Sequence, residues 1–571
     1  MSWALKKKHQ ALLAREEGYR KKAWGVELAI CLAYPNVYRV AMSNLGFQAV
    51  YGLLNQDTRC LCERVFLPDP GDESSFAPGS SSLFSLESGR AIADFDLLAF
   101  SLPYENDYPN ILKMLDLARI PLEAHRRSDA HPLVMGGGIA VTLNPEPLAS
   151  FFDLFLLGEG EAIIPDFLRI LLADRTLSRE KLLFRLQKDV PGAYVPRYYR
   201  VTYGPDSRIE AVEPAEPTLP RKIKKSWVRS IDGFVTDQVI LSPEAAFGDM
   251  FLIEVSRGCG RGCRFCAAGF VCRPPRFRAP EILEPSVKKG IEKRKKIGLL
   301  GTAVSDHPQI ARLCRMVHEQ GGRVAIGSLR ADRLDAELAA LLSSGGMESI
   351  ALAPEAGSQR LRDAINKGIT EPQILQAALR LLEQGIPNLR LYFMVGLPTE
   401  TDEDVEAIIT LAKKVKHHVA RSTAGRKKFR RITLSVNQFI PKAATPFQWF
   451  PLEEVNTVRK KIRRLATALR EDPAIRVIHD VPKWNYIQAL LSLGDRRVGR
   501  LLLAVHEHRG NWPQALKTVN INTDFYVYRP KGADEIFPWD FIDHGIDKSY
   551  LRTEYERALA TPKRPDQPVR T

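Results

Sequence analysis

Three cysteines in one short loop are the residues whose spacing indicates chemistry most directly. Cys259, Cys263 and Cys266 lie in the run EVSRGCGRGCRFC, a C-x3-C-x2-C pattern. Three thiolates from one loop can bind three irons of a cubane [4Fe-4S] cluster and leave the fourth iron without a protein ligand. The loop therefore predicts a cluster with one iron open to a further ligand.

Two other interpretations of this loop stay open on the sequence. A structural zinc site takes four protein ligands, usually from two C-x2-C pairs, and no fourth cysteine or histidine has that spacing here. Cys272, six residues after Cys266, could close a four-thiolate cluster, which would only carry electrons. The other cysteines stand in apolar stretches, where cysteine usually packs as a small hydrophobe: Cys31, Cys60, Cys62 and Cys314.

The second half of the chain predicts a barrel that would position the cysteine loop. Strand-like apolar runs alternate with helical patterns, and we place the strands at residues 251–255, 297–301, 323–327, 349–353, 389–395 and 432–437. Six β/α units predict a partial (β/α)6 barrel, in which chemistry gathers at the carboxyl ends of the strands. The cysteine loop follows the first of these strands.

Polar residues follow four of the other predicted barrel strands. They are Ser305 and Asp306, Ser328 and Arg330, Glu355 within the run PEAGS, and Gly396 within the run GLPTE. Capping of the next helix is the alternative explanation, since Ser305 and Asp306 are good N-cap types. Four such loops at one end of a barrel favour a binding site.

The first 190 residues predict a second α/β unit. Strand-like runs at residues 26–34, 63–67, 96–101, 132–136 and 153–157 alternate with helical patterns. This alternation predicts a doubly wound parallel sheet with ligands at the carboxyl ends of its strands. Glycines stand at two of those ends, where they let a backbone approach a ligand closely: Gly136, Gly137 and Gly138, and Gly158 beside Glu159.

We divide the chain into four regions. Residues 1–190 are the doubly wound domain and residues 191–247 a connecting segment with hairpins, including β-like pieces at 198–203 and 235–241. Residues 248–450 are the barrel, and residues 451–571 an α-rich accessory region with a disordered tail.

The charge and hydrophobicity of the chain limit the classes of partner that it can bind. A formal net charge of +15 favours a polyanionic partner, although no helix-turn-helix, RNP or zinc-finger pattern is present. No apolar run approaches the roughly 18 residues that indicate a membrane span, and the first residues read as a charged helix rather than a secretion signal. We expect a cytoplasmic protein with no membrane partner and with an RNA or protein substrate.

The cysteine loop resembles the signature of the radical S-adenosylmethionine (SAM) superfamily, with Phe265 at its aromatic position. The resemblance implies that a reduced [4Fe-4S] cluster on the three cysteines cleaves SAM to methionine and a radical that abstracts a substrate hydrogen. A flavodoxin- or ferredoxin-like electron donor would reduce the cluster. Further implied SAM contacts are Ser305 and Asp306 (amino group), Ser328, Arg330 and Glu355 (ribose or carboxylate) and Gly396 (adenine), although the superfamily's Gly-Gly-Glu run is missing.

The N-terminal loops resemble the cobalamin-binding domain of B12-dependent radical SAM enzymes. The resemblance rests on VMGGGIA at residues 134–140, NPEP at 144–147 and the run from Asp153 to Glu161. It implies cobalamin contacts at Gly136, Gly137, Gly138, Gly158 and Glu159. The D-x-H-x-x-G run that supplies an axial histidine in many such domains is missing. We expect cobalamin without a histidine ligand, or a domain that only shapes the active site.

These resemblances imply a radical SAM enzyme that modifies an unactivated carbon, with methyl transfer through cobalamin as the leading reaction. Methylthiotransferase-like sulfur insertion is one alternative, and its second cluster would need Cys31, Cys60 and Cys62. A non-catalytic iron-sulfur sensor or RNA-binding protein is the other.

Overall fold

The computed structural model describes residues 3–76, 81–422 and 429–561. Its first sheet has the strand order β2-β1-β3-β4-β5-β6, in which only β6 runs antiparallel to its neighbour. The strands are β1 (Leu28–Tyr34), β2 (Cys60–Phe66), β3 (Leu97–Ser101), β4 (Leu133–Gly137), β5 (Leu154–Leu156) and β6 (Ala193–Tyr194). The order reverses between β1 and β3, and ligands of open α/β sheets bind at such a switch point.

Helices cover both faces of this sheet, which explains why β1 is apolar throughout. Cys31 and Ala33 pack in the same core as the helix Tyr108–Leu117, whereas Ile30 and Leu32 pack in the core of the helix Leu45–Leu54. The helices of this region are Trp3–Ala14, Tyr38–Ala41, Leu45–Leu54, Tyr108–Leu117, Ile139–Leu143, Gly160–Ala173 and Arg179–Asp189.

The connecting segment contains one of the two β-like pieces that the sequence predicted. β7 (Tyr199–Tyr203) and β8 (Ile209–Pro214) form an antiparallel hairpin, followed by β9 (Ile223–Lys224). Residues 235–241 make only single bridges to Ile253 and Glu17, so the prediction of a strand there was wrong. Ile240 enters the N-terminal core and Leu241 the barrel core, because this segment links two cores.

The predicted partial barrel is confirmed. Its strands and short β segments are β10 (Phe251–Glu254), β11 (Ser256–Arg257), β12 (Arg276–Phe277), β13 (Lys296–Leu300), β14 (Arg323–Ile326), β15 (Ser328–Leu329), β16 (Ser349–Glu355), β17 (Asn388–Val395) and β18 (Arg431–Gln438). β10, β13 and β14 form one parallel sheet, and β15 to β18 belong to a second. Only Gly327 separates β14 from β15, so one sheet continues into the other.

Helices follow the barrel strands as the sequence predicted. A reciprocal capping box of Thr370 and Gln373 starts the helix Glu371–Glu383. The helices of the barrel region are Ala268–Val271, Pro280–Lys293, Ile310–Glu319, Ala336–Ser344, Gln359–Ala364, Glu371–Glu383 and Asp402–Arg421.

The C-terminal region contains a barrel strand that the sequence did not predict. After the helix Val455–Leu469, β19 (Ile475–His479) pairs in parallel with β18. This strand is short and half polar, so its strand pattern is weak. Further helices are Pro482–Leu493, Val498–Glu507, Trp512–Thr518, Asp524–Val527 and Lys548–Leu559, and β20 (Ile542–Asp543) pairs with β9.

The expected disordered tail lies almost wholly outside the described residues, which end at Thr561. Among the described residues, none of the helices has both the length and the apolar character needed to cross a membrane.

Candidate functional site

A cavity of about 490 Å³ lies between the carboxyl ends of the N-terminal sheet and those of the first barrel strands. The N-terminal domain contributes strand ends and the loops after them: Ser101, Gly137, Gly138, Gly158 and Glu159. The barrel region contributes Ser256, Arg257, Cys272, Gly301 and Thr302. Leu32, Val50 and Met135 are among the many apolar side chains that line it. Two parallel sheets therefore direct their ligand-binding edges at one space.

The glycines of the cavity allow close backbone packing. Gly138 has φ 118°, and a Cβ added there would lie 2.7 Å from the Leu102 carbonyl oxygen. Gly158 has φ 135°, and its added Cβ would lie 2.0 Å from the Ser226 carbonyl oxygen. Gly136 is placed differently, since its added Cβ would meet the Phe155 ring at 2.8 Å and the residue does not line the cavity.

Ion pairs join the N-terminal domain to the strand that carries the cysteine loop. Arg257 bonds to Glu161 at 2.8 Å and to Glu159 at 3.2 Å, and it also pairs with Glu254. Arg276 reaches Glu159 at 2.7 Å. Burial opposes ionisation of Glu159, but hydrogen bonds from Arg276 and the charge of Arg257 lower its pKa. The carboxylate of Glu159 is therefore occupied by arginines.

The cysteine loop turns through two glycines in the left-handed region. Gly258 has φ 81° and Gly262 has φ 70°, and a Cβ on Gly258 would lie 2.0 Å from the Cys272 carbonyl oxygen. Cys263 is buried, while Cys259 and Cys266 are half-buried. Burial raises the pKa of Cys263 to about 11, and the nearby cations Lys367 and Arg330 oppose that rise.

The donor set of this loop fits an iron-sulfur cluster. Charge on Cys266 or Cys259 raises the pKa of Cys263, so the three sulfurs lie near one another. Within residues 3–76, 81–422 and 429–561, no three His, Cys, Asp or Glu side chains surround one point as ligands of a single metal ion do. A cubane cluster needs a wider arrangement, because each thiolate binds its own iron. Lys225, Glu159 and Arg276 are the charged groups that affect the Cys272 thiol most. Cys272 also lines the cavity, so its thiol lies on the cavity side of the loop.

Side chains distant in sequence fasten the cysteine loop. The buried Arg264 donates to the Ala364 carbonyl oxygen at 2.7 Å and to Glu554 at 3.0 Å. The side-chain amide of Asn366 donates to the Gly262 carbonyl oxygen at 2.9 Å. The segment after β16 and the last helix therefore hold the loop. No local signal in the sequence points to Glu554.

Four of the candidate SAM residues make hydrogen bonds or ion pairs near the loop. Ser305 Oγ accepts the Arg330 backbone N–H at 3.2 Å, and the Arg330 guanidinium donates to Asp332 at 2.9 Å. Arg261, between two of the cysteines, donates to Asp306 at 2.8 Å. Lys367, which sequence reasoning missed, bonds to Glu355 at 3.0 Å.

Glu355 has an unusual backbone conformation. Its φ is 68°, and the pairing of β16 with β17 shifts register just before it. A non-glycine residue in this region is strained, and such strain clusters at functional sites. Its carboxylate contributes to the electrostatic environment of the Cys266 thiol, so it lies near the loop.

The remaining candidate SAM residues are Ser328, Phe265 and Gly396. Ser328 is exposed at the start of β15, and Phe265 packs with Leu397 and Phe439 in a small core. Gly396 has φ 77° and donates its N–H to Glu400 at 2.9 Å. Sequence reasoning missed Gly301 and Thr302, which stand exposed directly after β13, although their position at a strand end was the available signal.

The cysteines required by the sulfur-insertion alternative are divided between two cores. Cys31 packs on one face of the N-terminal sheet, and Cys60 and Cys62 pack on the other. Burial raises the pKa of Cys31 and Cys62 well above the usual range. These three thiols do not face one shared site.

Comparison with known proteins identifies both halves of the chain. The family model "Radical SAM proteins, N-terminal" matches residues 46–196, and the model "Radical SAM superfamily" matches residues 253–412. The uncharacterized protein MJ0966 of Methanocaldococcus jannaschii is 32% identical over 477 residues, which are 83% of this chain and 90% of that protein. This chain belongs to the radical SAM superfamily. It is a radical SAM enzyme, and that superfamily works with SAM and a [4Fe-4S] cluster.

Other proteins resemble this radical SAM enzyme less closely. The tRNA-2-methylthio-N(6)-dimethylallyladenosine synthase of Clostridium botulinum Eklund 17B is 27% identical over 182 residues, 29% of this chain and 40% of that enzyme. The structure of the radical SAM methyltransferase TsrM from Kitasatospora setae, with cobalamin and a [4Fe-4S] cluster bound, has a TM-score of 0.45 at 16% identity, covering 72% of this chain and 74% of TsrM. The structure of the cobalamin-dependent SAM radical enzyme OxsB with aqua-cobalamin bound has a TM-score of 0.47 at 14% identity. The match covers 84% of this chain and 66% of OxsB.

The ion pairs of Arg257 lead to a prediction about domain coupling in this radical SAM enzyme. Arg257→Met removes the charge-assisted hydrogen bonds to Glu161, so the free energy of local opening at residues 158–161 should fall by about 1.5–3 kcal/mol. Native-state hydrogen exchange measures this change. Arg185→Met, which removes an exposed helical pair, is the control and should leave residues 158–161 unchanged. Equal exchange in both variants would contradict the coupling.

Proposed function

We propose that this radical SAM enzyme binds its cluster through Cys259, Cys263 and Cys266 and cleaves SAM reductively to modify an unactivated carbon. The observation that carries this proposal is the placement of three thiols in one glycine-turned loop beside a cavity shared by two sheet edges. When bound, the cluster supplies the electron for that cleavage. A flavodoxin- or ferredoxin-like donor reduces it.

The protein's own residues prepare the loop for a cluster. Arg330 and Lys367 place positive charge near Cys263, and cations favour the thiolate form that binds metal. Arg264 and Asn366 hold the loop backbone from the β16 side. These contacts reduce the freedom that the loop loses when it binds the cluster.

We assign SAM to the polar strand ends beside the loop. The Arg330 guanidinium can pair bidentately with the SAM carboxylate, in competition with its present partner Asp332. Ser305, Asp306, Ser328 and Glu355 surround the same end of the barrel, and Gly396 and Phe265 mark the apolar part of the site for adenine.

We further propose cobalamin-dependent methyl transfer as the reaction. The cavity at the β1–β3 switch point supports this proposal, because Gly137, Gly138, Gly158 and the backbone of Glu159 can approach a large flat cofactor closely. No histidine is among the residues that line the cavity in the described part of the chain, so no histidine side chain of that lining would hold the cofactor. Cobalamin, when bound, supplies the methyl carrier.

The substrate that we propose is RNA, with a protein as the alternative. The formal net charge of +15 supports a polyanion, which such a charge attracts over long distances.

Cluster binding is tested by single cysteine substitutions. Cys263→Ser should lose most of its iron and acid-labile sulfide after anaerobic reconstitution and should form no methionine from SAM under reduction. Cys272→Ser is the matched control and should keep both its iron-sulfur content and its SAM cleavage, because the Cys272 thiol lies on the cavity side of the loop. Full iron content and SAM cleavage in Cys263→Ser would contradict the ligand assignment, whereas an intact cluster with no SAM cleavage in the unaltered protein would favour the sensor alternative.

SAM binding is tested at Arg330. Loss of a bidentate charge-assisted contact in Arg330→Ala should weaken SAM binding by about ten- to a hundredfold, measured by equilibrium dialysis on the reconstituted protein. Arg315→Ala removes an exposed arginine of the helix Ile310–Glu319 and should bind SAM as the unaltered protein does. Unchanged affinity in Arg330→Ala would refute the assignment.

Cobalamin binding is tested by obstructing the cavity. Ala49 lines it, so Ala49→Trp should lower the bound corrinoid by at least about tenfold, read from the absorption spectrum after unbound cobalamin is removed. Leu177→Trp, at an exposed position outside the cavity, should retain it. A well-folded, unaltered protein that binds no corrinoid would leave the N-terminal domain as a platform that shapes the active site.

A further inference from the structure

A second cavity, of about 640 Å³, lies at the opposite edge of the N-terminal sheet. Its lining comes from residues 124–127 before β4, residues 149–152 before β5, and residues 196–197 after the antiparallel β6. Residues 496–500 of the C-terminal region complete it. These segments mark the amino ends of the parallel strands. The length of a five-residue strand, about 15 Å, therefore separates this cavity from the one beside the cysteine loop.

Arginines dominate the lining of this second cavity. They are Arg127, Arg197, Arg496, Arg497 and Arg500, accompanied by His125. Three have carboxylate partners: Arg127 with Asp153, Arg496 with Glu146, and Arg497 with Asp495. Arg197 and Arg500 are exposed, and their guanidinium groups make no hydrogen bond or ion pair with another described residue. The lining thus includes two guanidinium groups that pair with no described carboxylate.

The paired arginines are held rigidly. Arg496 donates to Glu146 at 2.8 Å and to the Tyr199 carbonyl oxygen at 2.9 Å. Arg497 stacks on the Tyr203 ring at 3.9 Å and donates to Asp495 at 2.6 Å. The Tyr203 hydroxyl is buried and has no hydrogen-bond partner among the described residues. The cavity lining therefore combines arginines that are fixed by their partners with two arginines whose guanidinium groups have no partner among the described residues.

We infer that this cavity binds a phosphate-bearing ligand. The planar fork of arginine matches phosphate oxygens and carries its charge at every physiological pH. The volume is within the range of pockets for nucleotide-sized ligands. The site lies away from the cysteine loop, so it adds a binding function to the proposed reaction. A free small phosphate and the backbone of an RNA are the two sources of this chemistry.

Binding of inorganic pyrophosphate and of a fluorescein-labelled single-stranded RNA 12-mer to the full-length protein tests the inference. Arg197→Ala/Arg500→Ala should weaken at least one probe by about tenfold or more, measured by calorimetry for pyrophosphate and by anisotropy for RNA. Arg169→Ala/Arg185→Ala removes the same charge from exposed positions outside the cavity and should leave binding unchanged. If Arg197→Ala/Arg500→Ala binds pyrophosphate more weakly, the ligand of the cavity is a small phosphate compound. If only RNA binding is weakened, the ligand is an RNA backbone.

The inference is overturned if neither probe binds the unaltered protein, or if both double variants weaken binding equally. Equal weakening would mean that total charge alone attracts the probes. Thermal unfolding midpoints should agree among the three proteins, because all four substituted side chains are exposed. Reductive SAM cleavage without substrate should also stay unchanged in both double variants, which separates this test from that of the proposed function.

Discussion

The ion pairs between Arg257 and the carboxylates of Glu159 and Glu161 are the contact on which the rest of the site depends. Arg257 lies between β10 and the cysteine loop, and the glutamates follow β5 of the N-terminal sheet. Because these groups have opposite charge and little exposure, their bonds hold two carboxyl edges face to face. Charged side chains removed from water are costly unless they are paired and hydrogen-bonded, and here each is. The shared cavity lies between these two edges, and Arg257, Glu159 and Glu161 line it.

The cysteine loop directly follows Arg257 in the chain, and other residues determine its turns and hold it in place. Gly258 and Gly262 allow the turns, while Arg264 and Asn366 tie the backbone to the segment after β16. Glu554 connects the last helix to Arg264. The loop is thus supported from three directions by regions far apart in the chain, as a site built on rigid elements requires.

The two cavities have different chemistry because they lie at opposite edges of one sheet. The carboxyl edge ends in glycines and apolar side chains, which suit a flat cofactor. The amino edge meets the C-terminal region, whose Arg496, Arg497 and Arg500 bring positive charge to it. A ligand at the second cavity would therefore not compete for space with a cofactor at the first.

The sequence by itself determined the alternation of strands and helices and the cysteine spacing, because periodicity and motif are properties of neighbouring residues. Gly137, Gly138 and Gly158 could be placed at a ligand edge for the same reason. Only the tertiary structure decided that Gly136 packs against Phe155, that Glu159 pairs with Arg276, and that β19 joins the barrel. The arginines of the second cavity likewise come from segments about 300 residues apart. These outcomes depend on how distant segments pack, and no local pattern encodes that packing.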